Sequence, residues 1–351
     1  MPGSDHLMRG VNLLTNQGLE IEGRLMTEPD VRRVAGWGMN AIRAGFSGLE
    51  DPSNPLSYDE DAFRRLDGCL DWCEKYDLNL ILCMWDVDGE WWGSARKPGA
   101  IWGDRGLQER FKELWATVAE RYRDRPLNLS YELINEPRAP DDGEWNRLSR
   151  LATKAIRSVD DRHTVIVESN RWGSTSHFPY LEPNGDPNTL YSFHFYEPII
   201  FTNQKAPWMP TFSQYYRETV SYPGQAPRLE QYIERLPSHA DDVVRSDLET
   251  SRGTWDKNRL RELLEPVLEF RKKHGYGVFC GEFGVNWRAP RASAINWLSD
   301  VLRLFSDQSI GWTYWYYKDL DFGIVDSLKL DHTRPPDYLD RELLDLLKEH
   351  I

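Results

Sequence analysis

Cysteine is scarce in this 351-residue chain and long apolar runs are missing, and each lack removes a class of explanation. The four cysteines, Cys69, Cys73, Cys83 and Cys280, fall in apolar-periodic segments. They show neither metal-ligand spacing nor a secreted disulfide framework, so free thiols packed as small hydrophobes are expected. No apolar run approaches the ~18 residues of a membrane span. Against 56 Asp and Glu stand 43 Lys and Arg, a formal charge of −13 with no basic cluster to offset it. That balance speaks against nucleic acid or an anionic membrane as a partner and suits a neutral or cationic ligand. Repeats, low-complexity tracts and Pro/Ser/Gly linkers are lacking too, which predicts a single domain over residues 1–351. The N-terminus shows no charged stretch followed by an apolar one. Two readings stay open: a cytoplasmic protein, or an exported one whose signal has been removed.

What is present is a composition 40% hydrophobic and 28% charged, enough to bury a large core. Tryptophan is abundant, with 15 residues, many in turn-like stretches. A large ring buries well, and core packing is its default use; a Trp in an exposed loop instead offers the flat face on which a pyranose ring stacks.

Short apolar, β-branched or aromatic runs alternate with amphipathic stretches along the whole chain, which predicts βα units. The strand candidates are 8–13, 40–44, 78–85, 128–134, 164–168, 190–195, 277–281 and 311–316. Helices are predicted near 28–36, 59–76, 107–123, 143–159, 258–274, 292–305 and 340–350, with Pro29 and Pro126 at helix edges. Eight strands with intervening helices predict an α/β fold of the closed (β/α)8 barrel type. A doubly wound sheet is the alternative, but no Gly-rich phosphate loop follows the first strand. The stretch 197–255, with Trp208, Phe212, Tyr215, Tyr216 and Tyr222, is too long for an ordinary connection after strand six. It is read as an elaborated aromatic loop insertion with a short helix near 228–236.

In such a barrel the catalytic groups come from the C-terminal ends of strands. Two strands end in a glutamate beside a structural punctuator: Asn135-Glu136-Pro137 and Gly281-Glu282-Phe283-Gly284. Alone, each is as easily a solvated charge at a strand end. Arg43 closing the second strand, Asn135, His194 and Tyr196 at the sixth, and Trp315 at the eighth complete a polar and aromatic set suited to a sugar.

With the motifs Asn-Glu-Pro at 135–137, His-Phe-Tyr at 194–196 and Gly-Glu-Phe-Gly at 281–284, in order on strands four, six and seven, the chain resembles glycoside hydrolase family 5 of clan A. The resemblance runs from Arg9-Gly10-Val11-Asn12 to Trp315. It implies a retaining β-glycosidase with Glu136 as acid/base and Glu282 as nucleophile. It also implies that Asn135 meets the substrate 2-hydroxyl and that Arg43 holds the nucleophile ionised. Tyr196 would stand near the nucleophile, His194 on the acid/base side, and Trp315 under the sugar of the −1 subsite. No metal or organic cofactor is implied. The partner is an oligo- or polysaccharide, β-1,4-linked glucan first, and a monomer is expected. Exo action on short oligosaccharides, as a β-glucosidase or β-mannosidase, is the alternative.

One position departs from the family pattern. Where many members have a His after the third strand, Trp85-Asp86-Val87-Asp88-Gly89 places Asp88, which would bind a sugar hydroxyl differently. Asn170 and Trp172 after the fifth strand, Trp91, Trp92 and Trp102 after the third, and Trp208 in the long loop are further cleft candidates. Glu132, four residues before Glu136, faces the barrel interior, where an ion pair with Arg43 is expected rather than catalysis. A barrel that binds carbohydrate without hydrolysing it would not need both glutamates. A metal-dependent hydrolase would need several strand-end ligands, and His194 is the one histidine so placed.

Overall fold

The computed structural model describes residues 7–15, 25–51, 54–85, 99–209, 211–318, 321–326 and 338–351. Asp88, Trp91 and Trp92 lie outside the described residues. Eight strands form the frame: β1 Arg9–Leu14, β2 Ala41–Phe46, β3 Asn79–Met84, β4 Leu129–Glu132, β5 Thr164–Glu168, β6 Thr189–Phe195, β7 Gly277–Phe283 and β8 Gly311–Tyr314. They close into a barrel in the order β1-β8-β7-β6-β5-β4-β3-β2, and the ladders from β1 round to β6 are parallel. All eight predicted strands are found. Every residue of β2 is buried, as expected of a strand covered on both faces.

The helices that alternate with the strands begin where they do for local reasons. Helix α1 (Glu28–Gly36) begins where Asp30 accepts the main-chain N–H of Thr27. Helix α2 (Glu60–Lys75) is capped by Asp59, which accepts from the N–H groups of Asp61 and Ala62, and it buries Ala62, Phe63, Leu66, Cys69, Leu70 and Cys73 on one stripe. Asp104 and Asp141 cap α3 (Arg105–Tyr122) and α4 (Asp142–Arg157) in the same way. All four cysteines are buried, and burial pushes the Cys69 thiol up to about 12, which keeps it inert.

The chain divides into two compact units. One comprises Met1–His194, Pro266–Gly281 and Gly311–Thr313, and holds nearly all of the barrel strands. The other comprises Phe195–Glu265, Glu282–Ile310 and Tyr314–Ile351. In the second unit the long segment after β6 carries α5 (Leu229–Glu234), near the predicted short helix, and α6 (Asp242–Thr250), which the sequence pattern did not announce. Only Val244 and Leu248 of α6 are buried, too few apolar positions to register as a helical stripe. The aromatics of this segment mostly build its own core: Phe212, Tyr216 and Tyr222 are buried, and Trp208 is exposed. The second unit is completed by α8 (Arg291–Asp307), whose Trp297 stacks on Phe195, and by α9 (Arg341–Lys348), capped by Asp340. Helix α7 (Lys257–His274) spans the division, and its Phe270 packs edge-on against Tyr191 in the first unit. Among the described residues no helix is long and apolar enough to cross a membrane.

Candidate active site

In the first unit the interior of the barrel is ionic. Arg43 and Glu132 are fully buried, and the Arg43 Nε meets Glu132 Oε2 at 2.5 Å, the ion pair expected from the four-residue spacing of Glu132 and Glu136. The strand does not close at Arg43, however. β2 continues to Phe46, which packs edge-on against Trp115, so Arg43 stands inside the barrel and not at its rim. Its guanidinium also donates to Asn12 Oδ1 at 3.0 Å, to Asn135 Oδ1 at 2.9 Å and to Glu168 Oε2 at 3.5 Å. Ser192 donates to the remaining oxygen of Glu132 at 2.9 Å. One guanidinium thus lies among two buried carboxylates, and the donors around it satisfy charges that would otherwise be costly to bury.

Asn135 and Glu136 follow β4. The regular strand stops at Glu132, yet Leu133 and Asn135 still bond the neighbouring strands through Ile166 O and Met84 O, at 3.1 and 2.8 Å. Because Arg43 donates to its oxygen, the Asn135 amide keeps its NH2 end as a donor. Glu136 itself adopts φ +50°, a left-handed conformation unusual for a non-glycine residue and common where function holds the chain in place. Its side chain is 17% exposed and its Oε1 lies 2.9 Å from His194 Nδ1. Burial pushes this carboxyl up to about 7, against the opposing pull of Arg43 and Arg138.

The turn after β5 approaches the same carboxylate. Arg171, Trp172 and Gly173 all have positive φ, and the Trp172 N–H reaches Pro137 O at 3.3 Å. Trp172 is thereby held 39% exposed beside the Asn-Glu-Pro segment. Gly173 is needed here, since a Cβ would fall 2.5 Å from Glu168 Oε1 and 2.8 Å from His194 N. Asn170 is 2% exposed and bonds Ala139 through both ends of its amide, so it is a stitch between loops and not a cleft residue. Trp102 is also buried, edge-on to Trp145, and serves packing.

The second unit holds the other carboxylate. Glu282 occupies the penultimate position of β7, 4% exposed, and accepts a hydrogen bond of 2.9 Å from Tyr196 Oη. Just past the end of β8 stands Trp315, half-buried, with its N–H on Phe283 O at 2.9 Å and its ring 4.8 Å from that of Tyr316. Trp208, 44% exposed, faces the Arg288 guanidinium, which Asp321 holds at 2.7 Å.

Glu168 is the residue that motif reading missed. It closes β5, is fully buried, and contacts Arg43, His194 and the main chain of Glu136. Its signal was a carboxylate at the end of a strand otherwise made of Thr, Val and Ile, the same signal that marks Glu136 and Glu282.

Comparison with known proteins bears on the family and the fold. A family model described as cellulase, glycosyl hydrolase family 5, matches residues 9–321. Endoglucanase C of Acetivibrio thermocellus is 34% identical over 301 residues, covering 85% of this chain and 86% of that protein. Cellodextrinase A of Ruminococcus flavefaciens is 25% identical over 87% of this chain and 83% of its own length. Endoglucanase Cel5A of the hyperthermophilic Thermotoga maritima shares the fold, with a TM-score of 0.73 and 24% identity, over 97% of this chain and 96% of that one. The match to the family model over most of the described barrel, together with that degree of identity to a curated relative, places the chain in glycosyl hydrolase family 5, as a glycoside hydrolase.

Proposed function

We propose that the protein hydrolyses β-1,4-linked glucan with retention, Glu282 attacking the anomeric carbon and Glu136 serving as acid and then base. The observation that carries this reading is the contrast between the two carboxyl groups. Glu136 sits where burial raises its proton affinity, to about 7, and so holds a proton to give to the leaving oxygen. Glu282 accepts from a phenol, a contact that favours the ionised form a nucleophile needs. In the first step Glu282 forms the glycosyl ester while Glu136 protonates the departing sugar oxygen. In the second, ionised Glu136 takes a proton from water, which displaces the ester, and the configuration is retained. Retention by this route asks for carboxyl groups ~5–5.5 Å apart. Asn135, with its amide oriented by Arg43, would donate to the 2-hydroxyl, and Trp315 would carry the −1 sugar.

The glucan assignment is supported by the endoglucanase relatives. The 25% identity to cellodextrinase A supports the second reading, action on short gluco-oligosaccharides. Hydrolysis of aryl β-glycosides, β-glucans and mannans by the wild type and by Glu282→Ala, with and without azide, tests both. Activity lost in the variant and partly restored by azide, with an α-glycosyl azide as product, identifies the nucleophile, and the panel names the sugar. A Glu282→Ala variant as active as wild type overturns the assignment.

A further inference from the structure

Glu168 is a fully buried carboxylate for which the reaction as described has no use. One of its oxygens, Oε1, accepts the main-chain N–H of Glu136 at 3.1 Å. The other, Oε2, lies 3.3 Å from His194 Nε2 and 3.5 Å from an Arg43 nitrogen. The opposite ring nitrogen of His194, Nδ1, is 2.9 Å from Glu136 Oε1. Carboxylate, imidazole and carboxyl therefore lie in a row inside one unit of the molecule, joined by a hydrogen bond at Nδ1 and by a charge contact without hydrogen-bond alignment at Nε2, with both Glu168 and the imidazole shut away from solvent.

We propose that Glu168 is the positioning residue that prepares Glu136 as the acid, by holding both the main chain of Glu136 and the tautomer of His194. The inference rests on the acid/base reading of Glu136 and deepens it. A neutral imidazole carries its hydrogen on one nitrogen, and the group facing the other side decides which. Glu168, with Arg43 beside it, faces Nε2 and draws the hydrogen there. Nδ1 is then an acceptor aimed at Glu136 Oε1, so the hydrogen bond can form only with a protonated Glu136. A His194 hydrogen on Nδ1 would do the reverse and favour the carboxylate. The charge of Glu168 works in the same direction, because a nearby negative charge raises the proton affinity of Glu136. Against it stand Arg43 and Arg138, which pull that affinity down; Glu132, the other carboxylate in the cluster, is engaged by Arg43 and Ser192. The main-chain bond adds a steric part: it ties down the N–H of a residue held at φ +50°, which otherwise would relax toward the common extended region. Gly173, which leaves room for the Glu168 oxygen, belongs to the same device.

The test is a leaving-group series of aryl β-glycosides on wild type, Glu168→Gln, Glu168→Asp and Glu136→Gln. A dinitrophenolate departs without protonation, whereas a phenolate needs it, so loss of the acid appears only on the poor leaving group. Glu168→Gln is expected to lose ~100-fold in kcat/KM on phenyl glycosides and under fivefold on dinitrophenyl glycosides, from the size of general acid catalysis. Its alkaline limb should move below that of the wild type, and Glu168→Asp should recover part of both effects. An equal loss on every leaving group, or an unmoved alkaline limb, overturns the proposal and leaves Glu168 a structural residue. Should both variants fail to fold, the nitrogen-15 shifts of His194 in the wild type decide: a hydrogen on Nε2 and a bare Nδ1 near pH 6 is the expected state, and a hydrogen on Nδ1 overturns it. If Glu136→Gln itself shows no leaving-group dependence, the acid assignment of Glu136 has failed instead, which separates the two conclusions.

Discussion

Two glutamates at strand ends, one followed by Pro137 and the other preceded by Gly281, are given opposite surroundings by this molecule. Glu136 sits above a cluster in which one guanidinium, from Arg43, is shared by Glu132 and Glu168, and its own contact is an imidazole that can accept. Glu282 accepts from the hydroxyl of Tyr196, a contact that favours its charge. On the proposed assignment, the same residue type serves as acid or as nucleophile according to what faces it, an imidazole nitrogen at Glu136 and a phenol hydroxyl at Glu282.

The contrast breaks most completely at Glu136. Glu136→Gln should lower kcat/KM on unactivated glucan by about 10²- to 10⁴-fold, the usual weight of general acid–base catalysis. In the wild type, activity should fall as pH rises through about 7, since only protonated Glu136 can donate. The same variant has a stability consequence. A carboxyl whose folded pKa is raised binds more protons folded than unfolded between about 4.5 and 7, so stability falls across that window. Glu136→Gln should therefore unfold at a higher temperature than wild type at pH 8, by a free energy on the order of 3 kcal/mol, and with little difference at pH 4. Calorimetry at the two pH values reads this directly, and an equal shift at both would count against the raised proton affinity.

On the other side, Tyr196→Phe removes the donor to Glu282. A hydrogen bond to a charged group contributes ~1.5–3 kcal/mol, so a loss of about 10- to 100-fold in kcat is expected, similar on all leaving groups. That pattern would sharpen the comparison, because changes on the Glu136 side discriminate between leaving groups and this one should not. Gly173→Ala forces a Cβ against Glu168 and His194 at a left-handed position. It should cost about 1–3 kcal/mol of stability and shift the alkaline limb of the pH profile. The smallest effect is expected at Trp172→Ala: a stacking contribution of ~0.5–1.5 kcal/mol means at most about a tenfold rise in KM on long glucans, and little change on aryl glycosides.

Much of this was legible in the chain. The eight strands and the helices that alternate with them follow from periodicity, which depends only on nearest neighbours along an element. Glu136 and Glu282 stood out because a carboxylate at a strand end beside Pro or Gly is a local pattern. The pairing of Arg43 with Glu132 was legible as well, since a fixed spacing along a strand sets the face. Helix α6 escaped because two buried residues make no stripe, and the long segment was read as a loop insertion although Phe212, Tyr216 and Tyr222 give it a core of its own. Asn170 and Trp102, candidates for the cleft, are buried, because composition does not say which side of a loop a side chain takes.

What the sequence determined by itself, then, is the order of elements, the barrel they make and the two carboxylates at its strand ends. The tertiary structure alone decided which neighbour each carboxylate meets. Glu168 and His194 are 26 positions apart, Glu136 and His194 are 58 apart, and Tyr196 and Glu282 are 86 apart. Proton affinity is set across those gaps by contacts of about 3 Å, and a chain has no local signal for a contact that only closure of the barrel creates.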